Sequence, residues 1–291
     1  MSGMAIGTFG ITRVPEMEYP MAEAMSFFPD LSENMLSDVR QIMPPGNLTD
    51  DGKIILSFHS YILRTGRYNI LIDTCCGNDK QRPHRPAFTN LSGNYLETLA
   101  AAGLQPEDID FVMCTHLHWD HVGWNTRLVN GEWVPTFPNA KYIMAKREYD
   151  HWDAMYAAGG DNPHRNGFED SVLPIMRAEQ AVLVADDYEV DKGIWLEPCH
   201  GHSPGHVIIN LCSGDVKAAL TGDIIHHRLQ FRYPDLSTSA DTDMELARVN
   251  RKALIEKLAG SGTLVCTAHL PGQSVGRIEA TSDNFSFDGV Y

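Results

Sequence analysis

Residues 116–121 read His-Leu-His-Trp-Asp-His, which puts three imidazoles and one carboxylate within six positions. Imidazole and carboxylate groups are ligands for zinc and similar divalent ions. The apolar residues 111–114 precede this run and predict a buried strand. We therefore expect the cluster where a strand runs out into a loop, because several side chains can converge on an ion there.

Composition limits the classes of protein to which this chain can belong. It has 291 residues, of which 43% are hydrophobic, and a net charge of −15 with histidine neutral. The hydrophobic content allows a large core, and the length is compatible with one α/β domain. The acidic balance argues against nucleic acid and against an anionic membrane as partners, because both attract clustered Lys and Arg.

The cysteines and the first residues indicate the compartment. Six cysteines are scattered along the chain with no CxxC pair, which is typical of a reducing environment. Residues 1–10 lack the basic and apolar segments of a secretory signal, and no apolar stretch approaches the ~18 residues that span a bilayer. We therefore expect a cytoplasmic protein.

Strand and helix patterns alternate along the chain, and strand pairs occur at both ends. Strands are predicted at 53–63, 68–73, 139–145, 194–196, 207–211, 216–220 and 263–267. Helices are predicted after Asn94, at 146–158 and at 242–258, the last with an apolar face of Leu246, Val249, Ala253, Leu254 and Leu258. This pattern suits an α/β protein in which two sheets pack together with helices outside.

The chain is predicted to contain an N-terminal extension and one catalytic domain. Residues 1–45 are rich in Met and Phe and contain five prolines, so we expect them to pack on the domain or on the second subunit of a homodimer. Residues 46–291 are predicted to form the catalytic domain. Residues 149–180 are a candidate lid, because long segments rich in aromatic residues often cover a site. The alternative is a surface helix with its apolar stripe turned inward.

Further Asp and His residues occur where later strands end. His202 lies between two predicted strands, Asp223 follows the strand at 216–220, and His269 follows the strand at 263–267. The predicted metal ligands are therefore His116, His118, Asp120, His121, His202, Asp223 and His269. Five imidazoles and two carboxylates suit two divalent ions that share a bridging carboxylate and keep open positions for water.

The order and spacing of these seven residues resemble the metallo-β-lactamase-fold superfamily, from about residue 54 to the C-terminus. The resemblance implies a four-layered αββα sandwich with the metal site at one edge of the paired sheets. It also implies how the ions are held. One ion would bind His116, His118 and His202, the other would bind Asp120, His121 and His269, and Asp223 would bridge them.

Within the superfamily, the chain is most similar to the dinuclear lactonases and esterases, which include the N-acyl homoserine lactonases and the methyl parathion hydrolases. The resemblance implies a hydrolase that opens a lactone or cleaves a carboxylic ester of a small molecule through a metal-bridging hydroxide. The implied cofactors are two divalent ions. Zn is the first expectation, and Mn, Fe or Co can take the same ligands.

The chain departs from the lactonase pattern at one position. The N-acyl homoserine lactonases place a Tyr three residues after the bridging Asp, where this chain has His226. We expect His226 to support the oxyanion in its place, and Asp120 to accept or relay a proton. The expected catalytic residues are therefore Asp120, Asp223 and His226.

Other functions stay open from the sequence. The same ions could serve a phosphotriesterase or a glyoxalase II-like thioester hydrolase, and a mononuclear iron centre that oxidises a persulfide would use fewer of these ligands. A non-catalytic metal-binding module would result if residues 11–45 or 149–180 plugged the cleft.

Several more residues are candidates for supporting the site. Asp73 ends a strand near the expected metal edge, and His206 opens the strand after His202, so both are expected to orient a ligand. Candidate walls of a substrate pocket, for which core packing is the alternative, are Trp119, Trp124, Phe231 and Tyr233. His200 stays open between a structural and a substrate-facing role. Ordinary polar roles are expected for His59, His84, His151 and His164.

Overall fold

The structure is a computed structural model and describes residues 3–40, 43–282 and 284–290. Contacts divide the chain into two compact units. Each unit contains most of one seven-stranded sheet. The first unit contains Met1–Glu16 and Phe58–Tyr188, and the second contains Met17–Ser57 and Glu189–Tyr291. The predicted boundary between residues 45 and 46 lies inside the second unit.

The strands of the described residues form these two sheets and one small hairpin. In chain order they are β1 (Met4–Ile6), β2 (Phe9–Glu23), β3 (Lys53–Arg64), β4 (Asn69–Ile72), β5 (Phe111–Met113), β6 (Thr126–Val129), β7 (Glu132–Pro135), β8 (Lys141–Ala145), β9 (Ala181–Val184), β10 (Glu189–Asp191), β11 (Ile194–Pro198), β12 (Val207–Ser213), β13 (Val216–Leu220), β14 (Leu264–Cys266), β15 (Val275–Ala280) and β16 (Phe285–Gly289).

The described residues form fewer helices than strands. They are α1 (Ala24–Phe27), α2 (Glu33–Arg40), α3 (Tyr95–Ala101), α4 (Lys146–Ala158), α5 (Arg165–Ser171), α6 (Leu173–Arg177), α7 (Leu229–Arg232) and α8 (Met244–Leu258). Single 3-10 turns cover Pro86–Phe88, Pro106–Asp108, Gly123–Asn125 and Gly222–Ile224. In the part of the chain that the structure describes, no helix combines the length and the apolarity that crossing a membrane requires.

The first sheet has the order β1-β2-β3-β4-β5-β8-β9. β3 and β4 form the predicted hairpin, with Tyr61 opposite Ile72, while β4, β5, β8 and β9 run parallel. Parallel neighbours end at the same edge of a sheet. This edge therefore brings together Asp73, which follows β4, and residues 114–121, which follow β5.

Much of the predicted extension belongs to this sheet. Residues 4–23 form β1 and β2, which pair antiparallel with Met4 opposite Ile11. Ile6, Ile11 and Val14 are buried, as expected for strand residues that face a core. Residues 1, 2, 41 and 42 of the predicted extension lie outside the described residues.

The second sheet has the order β10-β11-β12-β13-β14-β15-β16. β13 and β14 run parallel, with Ala218 opposite Leu264, and the other neighbours are antiparallel. The turns that follow β13 and β14 therefore open at the same edge. They carry Asp223 and His269.

Helix α8 confirms the helix predicted at 242–258, but its buried face differs from the predicted one. Leu246 and Val249 were expected inside and are 38% and 52% exposed. The buried residues are Ala247, Arg251, Leu254, Ile255 and Leu258. Arg251 can face the core because its guanidinium donates to the carbonyl oxygens of Pro234 and Ile224. Apolar periodicity missed this face because it carries a buried cation whose acceptors come from other segments.

A buried cluster of charges stabilises the first unit around Asp170. The Asp170 carboxylate accepts hydrogen bonds from Arg82 Nη1 at 2.6 Å and Nη2 at 3.2 Å. Lys80 Nζ lies 3.5 Å from the same carboxylate and 3.5 Å from the centroid of the Trp133 ring, and it donates to Thr126. Burial lowers the pKa of Lys80 to about 7. Asp170 therefore supplies the negative charge that offsets two buried cations.

We predict that Asp170→Asn lowers the free energy of unfolding by about 3–5 kcal/mol, because a buried cation that loses its partner stays desolvated. Urea-induced unfolding measures the difference. The control is Asp150→Asn, which breaks the exposed pair with Lys146 on α4 and should cost less than about 0.5 kcal/mol. Equally small losses in the two variants would contradict the role of Asp170.

Candidate metal centre

Residues 116–121 form a group of donors in the first unit. The ring centroids of His116 and His121 are 4.1 Å apart, and those of His116 and His118 are 4.5 Å apart. All three rings are buried. Nε2 of His121 lies 3.9 Å from the carboxylate of Asp120, which is half-buried. Four of the seven predicted ligands thus lie side by side.

Asp73 orients two of these imidazoles from the end of β4. Its carboxylate accepts hydrogen bonds from Nδ1 of His121 at 3.0 Å and from the backbone N–H and the hydroxyl of Thr115 at 2.8 and 2.9 Å. Because Thr115 gives its one hydroxyl proton to Asp73, its oxygen accepts from Nδ1 of His116 at 3.1 Å. Both imidazoles carry a proton on Nδ1, so when neutral they present the Nε2 lone pair with which histidine binds metals.

Helix α4 holds the loop next to His118. Glu148 Oε1 accepts the backbone N–H of Leu117 at 3.1 Å and the indole N–H of Trp152 at 2.6 Å. The ring of His164 stacks on that of His118, with 3.8 Å between centroids and 24° between planes. From its sequence context, His164 was expected to have an ordinary polar role. No spacing signal marks it, because the fold of the segment after α4 brings it to His118.

A second group of donors, in the second unit, surrounds Asp223. Its Oδ2 atom lies 3.1 Å from Nε2 of His269, 3.2 Å from Nε2 of His226 and 3.4 Å from Nε2 of His202. All four side chains are buried. Asp223 and His269 meet because β13 and β14 are parallel, and the turn between β11 and β12 adds His202.

Hydrogen bonds on the far side of two rings define where their protons are. Nδ1 of His269 donates to the carbonyl oxygen of Ser57 at 2.9 Å, and Nδ1 of His202 donates to Oδ1 of Asp241 at 2.9 Å. In a neutral ring, Nε2 then has only a lone pair, and it faces a carboxylate oxygen of Asp223. Two acceptors this close repel each other unless a cation or a proton lies between them. The donor set therefore fits a divalent cation.

Asp241 was not among the site residues predicted from the sequence. Burial raises the pKa of this carboxyl, but the hydrogen bond from His202, the nearby imidazoles of His202 and His226 and the backbone N–H of Thr238 together outweigh burial, so the pKa is lowered. Asp241 also accepts the backbone N–H of Thr238 at 2.8 Å, which ties it into its own turn. It lies in a polar turn with nothing in its spacing to connect it to His202. A carboxylate in this position fixes the ring orientation of a ligating imidazole.

The turn that carries His202 is pressed against the start of α8. Gly201 has φ 126°, and a Cβ at this position would lie 2.2 Å from the backbone nitrogen of Ala247. The backbone N–H groups of Thr242 and Asp243 donate to the carbonyl oxygens of His202 and Gly201 at 3.0 and 2.8 Å. Glycine is therefore required at residue 201 for the turn to approach the helix.

His206 connects this turn to the backbone of Asp223. Its Nδ1 donates to the carbonyl oxygen of Cys199 at 3.0 Å, and its Nε2 accepts the backbone N–H of Asp223 at 3.0 Å. The ring is therefore in the neutral Nδ1–H form. In this form it holds the Asp223 backbone rather than binding a metal.

His226 and His227 are adjacent but have different surroundings. The backbone N–H of His226 donates to Oε1 of Gln230 at 2.7 Å, and its ring stacks on that of His269 at 5.7 Å. Burial lowers the pKa of His226, while Asp223 opposes the shift. His227 points away, since its Nε2 donates to the carbonyl oxygen of Asn47 at 3.0 Å. Burial lowers the pKa of His227 to about 4.

The two tryptophans predicted as pocket walls are part of the core of the first unit. Trp124 stacks on Tyr95 at 5.3 Å and donates its indole N–H to Glu16. Trp119 is 2% exposed and packs edge-to-face on Phe88 at 4.8 Å. Core packing, the alternative interpretation, describes both residues, because an indole ring buries more apolar surface there than at an open wall.

Phe231 and Tyr233, the other two candidate pocket walls, contact residues of the second unit, and their place in a substrate pocket stays a prediction. Phe231 is buried and stacks on Phe287 at 4.9 Å in the core of the second unit. Tyr233 is half-buried and donates its hydroxyl proton to Asp38 at 2.7 Å. Burial raises the pKa of Tyr233, and its hydrogen bond to Asp38 adds to the shift. Both side chains are thus engaged in packing or in hydrogen bonds within their own unit.

The candidate lid, residues 149–180, contains most of α4, all of α5 and α6, and the connection from α6 to β9. Trp152, Phe168 and Ile175 are buried in the core of the first unit. Met155 is 39% exposed. An inward-facing apolar stripe accounts for these three buried residues, and the motion of a lid stays a prediction.

Comparisons with known proteins match most of the chain. A family model described as "Metallo-beta-lactamase superfamily" matches residues 58–269. An N-acyl homoserine lactonase from Bacillus cereus is 28% identical over 250 residues, which are 80% of this chain and 87% of the relative. The N-acyl homoserine lactonase AiiA from Bacillus thuringiensis subsp. kurstaki is 27% identical over 252 residues, with the same coverage of the two chains.

Solved structures resemble this one over nearly its whole length. The hydrolase AbOPH of the beta-lactamase superfamily has a TM-score of 0.83 at 22% identity and covers 99% of this chain and 97% of its own. The dizinc quorum-quenching lactonase AidC has a TM-score of 0.78 at 22% identity and covers 100% of this chain and 97% of its own. These likenesses confirm the predicted α/β fold class.

We predict that the metal-free protein loses stability as the pH falls from 6.5 toward 4. The pKa of His227 is about 4 in the folded protein and has its ordinary value of 6.5 in the unfolded chain. Within this window only the unfolded chain binds the proton, so the contribution of His227 is present above pH 6.5 and is lost as the pH falls, by at most about 3 kcal/mol.

Urea-induced unfolding of the wild-type protein and of His227→Gln, between pH 4 and 7, measures this contribution. Glutamine keeps a nitrogen donor for the carbonyl oxygen of Asn47 and does not titrate, so the pH dependence should be shallower in the variant. Parallel curves for the two proteins would show that His227 is not responsible.

Proposed function

Because the chain belongs to the metallo-beta-lactamase superfamily, we propose that it is a hydrolase that uses two divalent ions to open lactones or cleave carboxylic esters. The observation that carries the proposal is the group around Asp223, where three imidazole nitrogens face one carboxylate oxygen at 3.1–3.4 Å. The relatedness to N-acyl homoserine lactonases, over 80% of the chain, supports the lactone branch.

All seven predicted ligands take part in this proposal. His116, His118 and His202 would hold one ion, Asp120, His121 and His269 would hold the other, and Asp223 would bridge them. The Nδ1 hydrogen bonds of four of these imidazoles support the assignment, because they leave Nε2 available. Zinc is the proposed metal, since AidC is described as dizinc. Mn, Fe and Co accept the same donors.

The residues around the ions have distinct roles in the proposed reaction. When bound, the ions supply a nucleophilic water at neutral pH and polarise the substrate carbonyl. Asp120, half-buried beside His121, accepts the proton that is released on attack. His226 donates a hydrogen bond to the carbonyl oxygen as negative charge develops there. Its Nε2 lies 3.2 Å from Asp223, so it is held next to the bridging carboxylate.

A second set of residues keeps the ligands in place. Asp73 and Asp241 accept Nδ1–H groups of His121 and His202, and the carbonyl oxygen of Ser57 accepts that of His269. Such partners fix the tautomer and the direction of the ring, and their loss commonly costs about 10- to 100-fold in metal affinity or activity. His206 holds the backbone of Asp223 in place by accepting its N–H.

The substrate class follows from the relatives and from one difference. The N-acyl homoserine lactonases, which this chain resembles, carry Tyr at the position of His226. The ring nitrogen from which an imidazole donates lies nearer to the backbone than the hydroxyl of a tyrosine. We therefore propose the broader class of lactones and carboxylic esters for this chain.

We also propose that the protein acts in the cytoplasm and forms a homodimer. All six cysteines are free thiols, which fits a reducing compartment. The homodimer rests on the sequence of residues 11–45, and light scattering of the purified protein tests it.

We predict that Asp223→Ala loses at least about 100-fold in kcat/KM on lactones and aryl esters and binds fewer than two metal ions per chain, because the proposed bridge is removed. Elemental analysis and a hydrolysis assay measure the two effects. The control is Asp235→Ala, which removes an exposed carboxylate paired with Lys252 in the same unit and should leave both unchanged. Full activity of Asp223→Ala would reject the mechanism.

The substrate panel also separates the alternative functions. Faster turnover of phosphotriesters or of glutathione thioesters would assign the protein to one of those reactions on the same ions. Two bound metals without turnover of any substrate would favour a non-catalytic metal-binding module.

A further inference from the structure

Arg85 lies over the segment that carries the first group of donors. It precedes the 3-10 turn Pro86–Phe88, and its guanidinium carbon is 5.3 Å from the centroid of the Trp119 ring. Trp119 is the residue between His118 and Asp120 in the chain. The guanidinium is half-buried. It is therefore a positive charge over the residue that separates two proposed metal ligands, His118 and Asp120.

Among the residues that the structure describes, Arg85 differs from its basic neighbours in having no counter-ion. Arg82 binds the carboxylate of Asp170 at 2.6 Å, and His84 lies 2.7 Å from the carboxylate of Asp161. Across residues 3–40, 43–282 and 284–290, no carboxylate is within ion-pair distance of the Arg85 guanidinium, and no acceptor forms a hydrogen bond with that guanidinium.

The half-buried guanidinium is poorly compensated. Burial lowers the pKa of Arg85, and the field of the Asp120 carboxylate opposes this shift without forming an ion pair. Removing a cation from water without a hydrogen-bonded partner costs free energy, which a bound anion can offset. A guanidinium also binds carboxylate and phosphate groups through two parallel hydrogen bonds.

The platform beneath Arg85 is rigid. The indole of Trp119 packs on Phe88 at 4.8 Å and on Phe58 at 6.3 Å. On the backbone side, a Cβ at Gly167 would lie 2.8 Å from Cα of Trp119, so the two segments are in close contact. A guanidinium that stacks on a fixed ring loses little conformational freedom when it binds an anion.

We propose that Arg85 binds an anionic group of the substrate, a carboxylate or a phosphate, which lies apart from the carbonyl under attack. The inference rests on the proposed function and narrows its substrate class to esters or lactones that carry such a group. Arg85 is then a specificity residue, and a neutral lactone with an uncharged acyl chain would leave its charge uncompensated.

Paired substrates test this inference on the zinc-loaded protein. The neutral substrate is 4-nitrophenyl butyrate, and the anionic ones are mono-4-nitrophenyl succinate and the 4-nitrophenyl ester of 3-phosphonopropanoic acid. The wild-type protein should have a higher kcat/KM on one of the anionic esters than on the neutral one. The anionic ester that is preferred shows whether Arg85 binds a carboxylate or a phosphate group. Arg85→Ala should lose about 10- to 100-fold in kcat/KM on that ester, mainly through KM, the range for a hydrogen bond to a charged group.

The same variant should lose less than about threefold on the neutral ester, and Arg85→Lys should keep part of the preference as a point charge. The matched control is Arg67→Ala, because Arg67 also stacks on an aromatic ring, Tyr68, at 4.6 Å, but lies in the exposed turn of the β3–β4 hairpin. It should leave both rates unchanged.

A binding measurement separates this inference from the proposed function. Succinate and 3-phosphonopropanoate are titrated calorimetrically into zinc-loaded wild-type and Arg85→Ala protein, and the variant should bind the preferred anion at least about tenfold more weakly. Equal affinities, or equal losses of Arg85→Ala on neutral and anionic esters, would overturn the inference. Absence of turnover on every ester and lactone, with binding that still depends on Arg85, would instead reject the proposed reaction alone.

Discussion

The carboxylate of Asp223 faces three imidazole nitrogens, and in two of the rings the proton is held on the opposite nitrogen. The carbonyl oxygen of Ser57 and the carboxylate of Asp241 hold those protons, so lone pairs are directed at a carboxylate oxygen inside the protein. Buried acceptors that face each other destabilise a fold unless a cation lies between them. The second unit maintains this arrangement with a turn that only glycine allows at residue 201 and with His206 on the Asp223 backbone.

In the first unit, other residues fix the orientation of the imidazole rings. Asp73 and Thr115 form a short chain of hydrogen bonds that ends on Nδ1 of His116 and of His121. The chain works because β4 and β5 are parallel neighbours, which brings the residues after each strand to one edge. In the second unit β13 and β14 provide the equivalent edge. A pair of parallel strands is thus the backbone feature that supports each group of donors.

In the first unit, cations that pair with a carboxylate and a cation that does not have different roles. Lys80 and Arg82 share Asp170 inside the protein, so their charges are satisfied by the fold itself. Arg85 lies over the ring of Trp119 and has no such partner among the described residues. Folding stability accounts for the first pair, whereas a bound anion would supply the partner that Arg85 lacks among the described residues. The same residue type therefore serves structure at residue 82 and, by our inference, recognition at residue 85.

The sequence by itself determined the family and the local elements. The run at residues 116–121 and the later Asp and His residues led to the superfamily that the match over residues 58–269 confirms. Helix α4 and the β3–β4 hairpin were predicted because periodicity and turn residues are local signals. Only the tertiary structure revealed Asp241, the stacking of His164, the charge of Arg85 over Trp119 and the buried Arg251 face of α8. Each of these depends on a partner distant in the chain, and no local pattern records which distant groups folding brings within a few ångströms.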